Sequence, residues 1–169
     1  MLVMAADLGL NVGLGFLEPG VRPTVDYFRI PYPAVDLASI AIHFVEKMET
    51  IIAETRPDVI VRATRFVNRF SQPVAIGVYF GLSMRLDEMA GRRKIRHYEY
   101  SEQRARDAFL GSVPRGSKAQ KRAVRAACVQ RNWPAHDEHS CDALVIGSYA
   151  LSVLEPNTAH KSTPLLQNV

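Results

Sequence analysis

The stretch that decides the fold is LVMAADLGLNVGLGFL, residues 2–17. Residues 2–6 are apolar and lead directly into Asp7-Leu8-Gly9, which predicts a short strand that ends in a turn with a carboxylate beside it. Residues 11–17 contain two glycines among apolar side chains, so we expect a second strand that packs closely against the first. Residues 20–30 add a third strand, and the three together predict a β-meander.

The hydrophobic period then changes from that of strands to that of helices. Apolar residues recur at i, i+3, i+4 and i+7 across residues 35–55, which is the stripe of an amphipathic helix. The elements predicted next are a buried strand at 58–61, a helix at 73–90 and an alternating strand at 95–100. Three helices follow, over residues 101–110, about 117–130 and about 138–154, the first two with Ser101 and Ser117 as N-caps.

This order of elements predicts an α/β fold in which helices flank a mixed sheet. A chain of 169 residues is long enough for one domain with a proper core and too short for two of typical size. We expect that domain to span residues 1–156, followed by a flexible C-terminal tail over residues 157–169.

Composition and cysteine usage indicate a soluble intracellular protein. The chain is 47% hydrophobic and 22% charged, and no apolar run approaches the roughly 20 residues needed to span a bilayer. The first residues lack the basic segment that begins a signal peptide. Cys128 and Cys141 form neither a CxxC pair nor a disulfide framework, so we expect buried free thiols in a reducing cytoplasm.

The net charge of +4 is concentrated in residues 92–131. The acidic residues there are only Glu99, Glu102 and Asp107. A one-sided basic surface attracts phosphate backbones through counterion release, and the alternative is a set of solvated helix faces without a partner. The basic residues of this tract are Arg92, Arg93, Lys94, Arg96, Arg104, Arg106, Arg115, Lys118, Lys121, Arg122, Arg125 and Arg131.

Three side chains are candidates for metal chemistry. Asp7 would project from the end of a strand, although Asp before Gly is also ordinary turn chemistry. His139 and Asp142 are three residues apart on one helix, so both could reach one ion near the helix start. The alternative is that Asp142 and Glu138 serve the helix dipole and that His139 is simply exposed.

The order of these motifs resembles the RuvC-like Holliday junction resolvases of the ribonuclease H superfamily. The resemblance rests on Asp7-Leu8-Gly9, the glycine-bearing second strand and the run from His139 to Leu144, and it extends over roughly residues 2–154. It is greatest to short phage or prophage members, which implies the cytoplasm of a bacterial or phage-infected cell.

The resemblance implies a function and a ligand set. The fold would be ribonuclease-H-like, and the activity would be two-metal hydrolysis of branched DNA, including four-way junctions, by a homodimeric endonuclease that uses Mg²⁺ or Mn²⁺. Asp7, His139 and Asp142 match the family's catalytic and metal-binding positions.

The chain departs from the family pattern at one position. Resolvases of this family carry a Glu at the end of the central strand, and here the strand reads Val59-Ile60-Val61-Arg62-Ala63-Thr64, so Arg62 stands at the expected place. The resemblance therefore implies a guanidinium among Asp7, Asp142 and His139, in the position of a divalent ion. Either the chain is a catalytically impaired protein that still binds branched DNA, or another acid substitutes. The alternative is that Arg62 faces DNA and the strand has another register.

Two segments are candidate DNA contacts. The tract 111–124 resembles the family's basic loop and helix, which implies phosphate contacts for Arg115, Lys118, Lys121 and Arg122. The segment 65–70 mixes basic and aromatic residues, and Arg65, Phe66, Arg69 and Phe70 could hold phosphates or stack on unpaired bases. One of these phenylalanines could equally belong to the core, where we also expect Trp133. A small-molecule enzyme is disfavoured because residues 8–13 do not form a GxGxxG fingerprint.

Overall fold

The computed structural model describes residues 1–31, 36–64, 73–134 and 136–157. In this part of the chain five strands form one mixed sheet in the order β3-β2-β1-β4-β5. The first three strands are antiparallel neighbours, whereas β4 runs parallel to both β1 and β5. The strands are β1 (Val3–Asp7), β2 (Asn11–Leu17), β3 (Thr24–Arg29), β4 (Val59–Thr64) and β5 (Arg96–Ser101).

Helices cover both faces of the sheet. One core lies between the sheet and the first two helices, and a second core lies between the opposite face and the last three. The predicted α/β architecture, a mixed sheet flanked by helices, is therefore confirmed. The helices are α1 (Leu37–Thr55), α2 (Pro73–Arg92), α3 (Glu102–Leu110), α4 (Ser117–Gln130) and α5 (Glu138–Leu154).

The predicted elements are present, with small differences at their ends. β4 continues to Thr64, three residues beyond the predicted end, and β3 begins only at Thr24. Ser101 caps α3 as predicted, since its side chain accepts a hydrogen bond from the Arg104 amide. The predicted cap at Ser117 is wrong, because Ser117 is already helical and Gly116 precedes the helix at a φ of 90° without a side-chain cap.

Helix α5 lies unusually close to the sheet because glycines face it. A Cβ at Gly13 of β2 would clash with the backbone of His139 and Ser140, and a Cβ at Gly147 of α5 would clash with the Leu17 side chain. The glycines of β2 had predicted close packing against the first strand. The close neighbour at Gly13 is instead the first turn of α5, which this contact holds over the end of β1.

Other sequence expectations concern the core and the tail. Trp133 is buried and packs against Phe109 with ring centroids 5.5 Å apart, and Cys128 and Cys141 are buried free thiols, all as predicted. In the described ranges no helix is long and apolar enough to cross a membrane. The boundary at residue 156 and the flexible tail stay predictions, because residues 158–169 lie outside the described ranges.

Candidate active site

A cavity of about 490 Å³ lies at the carboxyl ends of β1 and β4. Parallel neighbouring strands end at the same edge of a sheet, so this edge collects side chains from β1, from β4 and from the helix that starts above them. The polar residues in its lining are four that the sequence had predicted and three that it had not indicated. They are Asp7, Asn11, Tyr79, Glu102, Lys121, His139 and Asp142.

Asp7 and His139 form the first pair in the cavity. Nδ1 of His139 lies 2.7 Å from Oδ2 of Asp7, and both side chains are only partly exposed, at 33% and 26%. The hydrogen bond with Asp7 raises the pKa of His139. The Tyr27 ring stacks on the imidazole with centroids 6.4 Å apart, and the Tyr27 hydroxyl donates to Asn11. The alternative that His139 is simply exposed is therefore wrong.

Asp142 lies one turn further along α5 and is buried, with 7% of the residue exposed. Nη2 of Arg106 donates to its Oδ1 at 2.9 Å, which supplies the partner that a buried carboxylate requires. Burial raises the pKa of Asp142, and the Asp7 charge adds to this rise while Arg106 opposes it. Asp142 does not cap the helix, because the N-cap is Asp137, whose Oδ1 accepts from the Ser140 amide at 2.9 Å.

Glu102 and Arg106 belong to the same constellation, although the sequence did not single them out for it. The Arg106 Nη2 atom that contacts Asp142 also pairs with the Glu102 carboxylate. Nη1 of Arg106 donates to Gln120 at 3.1 Å, and its buried Nε has no hydrogen-bond partner in the described part of the chain. In the sequence Glu102 was notable only as one of the three acids within the basic tract 92–131. Its position directly after β5 was the signal that could have placed it here.

Arg62 does not lie among the catalytic candidates, and the expectation that it does is wrong. Its Nη2 pairs with Asp87 of α2 at 2.9 Å and its Nη1 pairs with Glu99 of β5 at 2.8 Å. Burial alone would lower the pKa of Arg62, but Asp87 and Glu99 outweigh burial and raise it. The physical reason is register, since Arg62 pairs with Ala6 and both face the α1–α2 side of the sheet.

The same register identifies the residue that does lie beside Asp7. Continuing the pairing of β1 with β4 by one residue sets Ala63 next to Asp7, on the α5 side of the sheet. Ala63 is 8% exposed and lines the cavity. The position on β4 that faces the cavity therefore has a methyl group and no charge.

The predicted basic residues divide into two groups. Lys121 lines the cavity and donates to Glu138 at 2.8 Å, and this hydrogen bond raises the pKa of Lys121. Arg115, Lys118 and Arg122 are exposed to solvent. Arg125, which the sequence had not selected, is also exposed and continues the row of Lys118 and Arg122 along α4.

The basic tract contains fewer available cations than its composition suggested. Arg106 and Arg131 are both buried, at 8% exposure each. Arg131 donates to the carbonyls of Phe109 and Ala127 and stacks over the Phe109 ring, so its role is to join α3 to α4. The other predicted DNA contacts, Arg65, Phe66, Arg69 and Phe70, lie outside the described residues.

The donors of the cavity are of the type that suits a hard divalent cation, namely carboxylate oxygens with one imidazole. A cationic atom already sits between two of the carboxylates, since Arg106 Nη2 contacts both Asp142 and Glu102. In their present positions, the His, Cys, Asp and Glu side chains of the described ranges do not form a group of three that is close enough to hold an ion. The residue types thus fit a divalent cation, whereas their present contacts are with Arg106 and with each other.

The fold is shared with solved structures of Holliday junction resolvases. A structure of Thermus thermophilus RuvC in complex with a Holliday junction substrate has a TM-score of 0.74 at 16% identity, over 94% of this chain and 97% of that chain. The yeast mitochondrial Holliday junction resolvase has a TM-score of 0.59 at 15% identity, over 94% and 83%. A fowlpox virus resolvase with its substrate Holliday junction DNA has a TM-score of 0.58 at 8% identity, over 92% and 99%.

These comparisons confirm the ribonuclease-H-like fold of the RuvC type. No protein-family model and no curated protein matches the sequence. The predicted likeness to short phage or prophage members stays a prediction.

Proposed function

We propose that this protein is a divalent-metal-dependent endonuclease that acts on branched DNA, in the manner of Holliday junction resolvases. One observation carries the proposal. Asp7 and the pair His139 and Asp142, which are more than 130 residues apart in sequence, line one cavity at the ends of β1 and β4. This cavity belongs to a fold shared with a RuvC whose solved structure contains a Holliday junction.

The residues that would hold Mg²⁺ or Mn²⁺ are Asp7, Asp142 and His139. The chemistry expected of the bound cation is activation of water and stabilisation of the leaving oxygen of a phosphodiester. His139 and Asp7 are in contact, so the imidazole can hold or release a proton next to the carboxylate. Lys121 adds a positive charge to the cavity wall, which favours approach of a phosphate.

The DNA surface in this proposal is the exposed face of α4. Lys118, Arg122 and Arg125 project from it, and Lys121 on the adjacent face connects the row to the cavity. If the phosphates of a duplex arm bound along this row, the DNA backbone would pass next to Asp7 and Asp142. Arg115 in the loop before α4 extends the row.

The proposal includes a homodimer, because a junction has two strands to cut and because α2 offers an apolar face to solvent. Phe80 and Met84 are 49% and 71% exposed there. Gly77 and Gly81 lie on the same face, with open space where a Cβ would be. Two copies of such a face can approach closely around a two-fold axis, each covering the other's apolar side chains.

A second candidate function is branched-DNA binding without cleavage. The observation that favours it is the arrangement of the acids, since Arg106 already pairs with Asp142 and Glu102, and Ala63 stands beside Asp7. In the described ranges no three donors are grouped around one point. A protein of this kind would hold a junction through its basic face and leave it intact.

One experiment separates the two candidates. The protein is incubated with a labelled four-way junction without metal, with Mg²⁺ and with Mn²⁺, and native and denaturing gels record binding and cutting. The nuclease proposal expects cutting only with metal, and Asp142→Asn should abolish cutting while junction binding persists. Asp107→Asn, an acid-to-amide change on the surface of α3, serves as the matched control. Binding without cutting under all conditions would establish the second candidate, and absence of junction binding would reject both.

A further inference from the structure

The position on β4 beside Asp7 contains no carboxylate. Ala63 occupies it, and β4 has no acidic residue anywhere between Val59 and Thr64. Arg62, its neighbour, is turned to the opposite face of the sheet, where Asp87 and Glu99 hold it. A further acidic ligand for the site therefore has to come from an element other than β4.

Glu102 comes from the strand next to β4. The register of β4 and β5 pairs Thr64 with Ser101, so Glu102, the first residue of α3, emerges at the same edge of the sheet as Ala63. Its side chain lines the cavity that contains Asp7 and Asp142. Among the described residues that line this cavity, these three are the acidic ones.

A cation is already placed where Glu102 and Asp142 face each other. Nη2 of Arg106 contacts both carboxylates, so the two groups converge on a single positively charged atom. Two carboxylates that share one site repel each other unless a positive charge lies between them. Arg106 is 8% exposed, and its Nε makes no hydrogen bond within the described ranges. The guanidinium thus balances the charges of Glu102 and Asp142 although one of its own hydrogen-bond donors is left without a partner there.

The electrostatics of Glu102 agree with this geometry. Burial raises the pKa of Glu102, Arg106 opposes the rise, and the charges of Asp142 and Asp7 add to it. Glu102 therefore responds to both of the acids that the proposed function uses.

We propose that Glu102 is the third carboxylate ligand of this site, entering from the junction of β5 and α3 in place of a residue on β4. This inference rests on the proposed metal-dependent function and deepens it, because it supplies the acidic ligand that β4 lacks. Glu102 and Asp142 would then be balanced jointly by Arg106 and by a bound Mg²⁺ or Mn²⁺. Arg106 keeps its place through its hydrogen bond to Gln120.

The test measures binding of Mn²⁺ alone to the full chain, by isothermal titration calorimetry and by the electron paramagnetic resonance signal of free Mn²⁺. Glu102→Gln keeps the shape of the side chain and removes its charge. Loss of an outer-shell partner of a metal typically costs about 10–100-fold in affinity, so loss of a direct ligand should cost at least about tenfold. The control is Asp107→Asn on the same helix, whose carboxylate accepts a hydrogen bond from Gln103 and is not in the cavity lining. It should bind Mn²⁺ as the unchanged protein does.

A second variant tests the same idea by moving the charge. Ala63→Glu in the Glu102→Gln background returns a carboxylate to β4 beside Asp7, and Mn²⁺ affinity should recover. Circular dichroism checks that each variant is folded. If the double variant does not fold, the comparison of Glu102→Gln with Asp107→Asn decides whether Glu102 is a metal ligand.

The possible results distinguish the role of Glu102 as a ligand from the proposed metal-dependent function. If Asp142→Asn loses Mn²⁺ and Glu102→Gln keeps full affinity, Glu102 serves only α3 and Arg106, and this inference fails while the proposed function stands. If the unchanged protein binds no Mn²⁺ at all, both the metal-dependent function and the role of Glu102 are overturned.

Discussion

Nδ1 of His139 lies 2.7 Å from Oδ2 of Asp7, although the two residues are 132 positions apart in the sequence. The contact joins the end of β1 to the first turn of α5, and it exists because α5 approaches the sheet closely at Gly13, the residue that pairs with Asp7 across β1 and β2. The distance between the sheet and the first turn of α5 therefore determines whether Asp7 and His139 can make this contact.

Gly13→Ala should therefore damage both stability and the site. The added Cβ would clash with the backbone of His139 and Ser140, which cannot move aside as a flexible side chain would. Overpacking of this kind typically costs about 1–3 kcal/mol in the free energy of unfolding, and urea denaturation measures it. Gly91→Ala is the control, because a Cβ there meets open space and should leave stability unchanged or raise it by up to about 1 kcal/mol. Equal stability of the two variants would contradict the close approach of α5.

Arg62→Glu should destabilise the protein without creating a metal ligand. The change places a third acid between Asp87 and Glu99, and the ion pairs of Arg62 are lost. Both partners are more than a third exposed, so we expect a loss of about 1–3 kcal/mol, below the range for fully buried pairs. Arg62→Met, which keeps the apolar stem, should cost less. Urea unfolding and Mn²⁺ titration check this, and a gain in Mn²⁺ affinity by Arg62→Glu would show that the side chain faces the cavity after all.

Neutralising Lys118, Arg122 and Arg125 together, each to Gln, should weaken junction binding. Each lost phosphate contact on duplex DNA reduces the slope of log affinity against log salt by about 0.9. Three lost contacts should therefore flatten the slope by close to three units, as measured by fluorescence anisotropy across a salt series. The control is Arg85→Gln with Arg92→Gln, two exposed arginines that pair with Glu88 on α2. A triple variant with the slope of the control would mean that this face of α4 points away from DNA.

Met84→Asp should weaken self-association. The Met84 side chain is 71% exposed on the apolar face of α2. In a two-fold symmetric interface the new aspartate would be buried twice, once from each copy, and the two like charges would repel each other. Sedimentation equilibrium should show a shift from dimer toward monomer with the fold retained. Ile42→Asp on α1 is the control, since Ile42 is also exposed, at 58%, and lies on another helix. A monomeric unchanged protein would remove the homodimer from the proposed function.

The local pattern of the sequence determined the elements and part of the site. The change of hydrophobic period from two to 3.6 residues located the strands and helices to within a few residues, because that period depends only on which face is buried. The spacing of three between His139 and Asp142 placed both on one face of a helix. Asp7 at the end of an apolar strand completed the set that the cavity now contains.

Only the tertiary structure decided where Arg62 points and which acids meet. The face that a strand residue takes depends on its register with the neighbouring strand, and a slip of one residue reverses every side chain, so the sequence of β4 could not choose between Arg62 and Ala63. Glu102, Arg106 and Asp142 meet because α3 and α5 pack against the same face of the sheet, across 36 residues of chain between Arg106 and Asp142. Such contacts depend on how whole helices and strands pack together, and a local sequence pattern does not predict that packing.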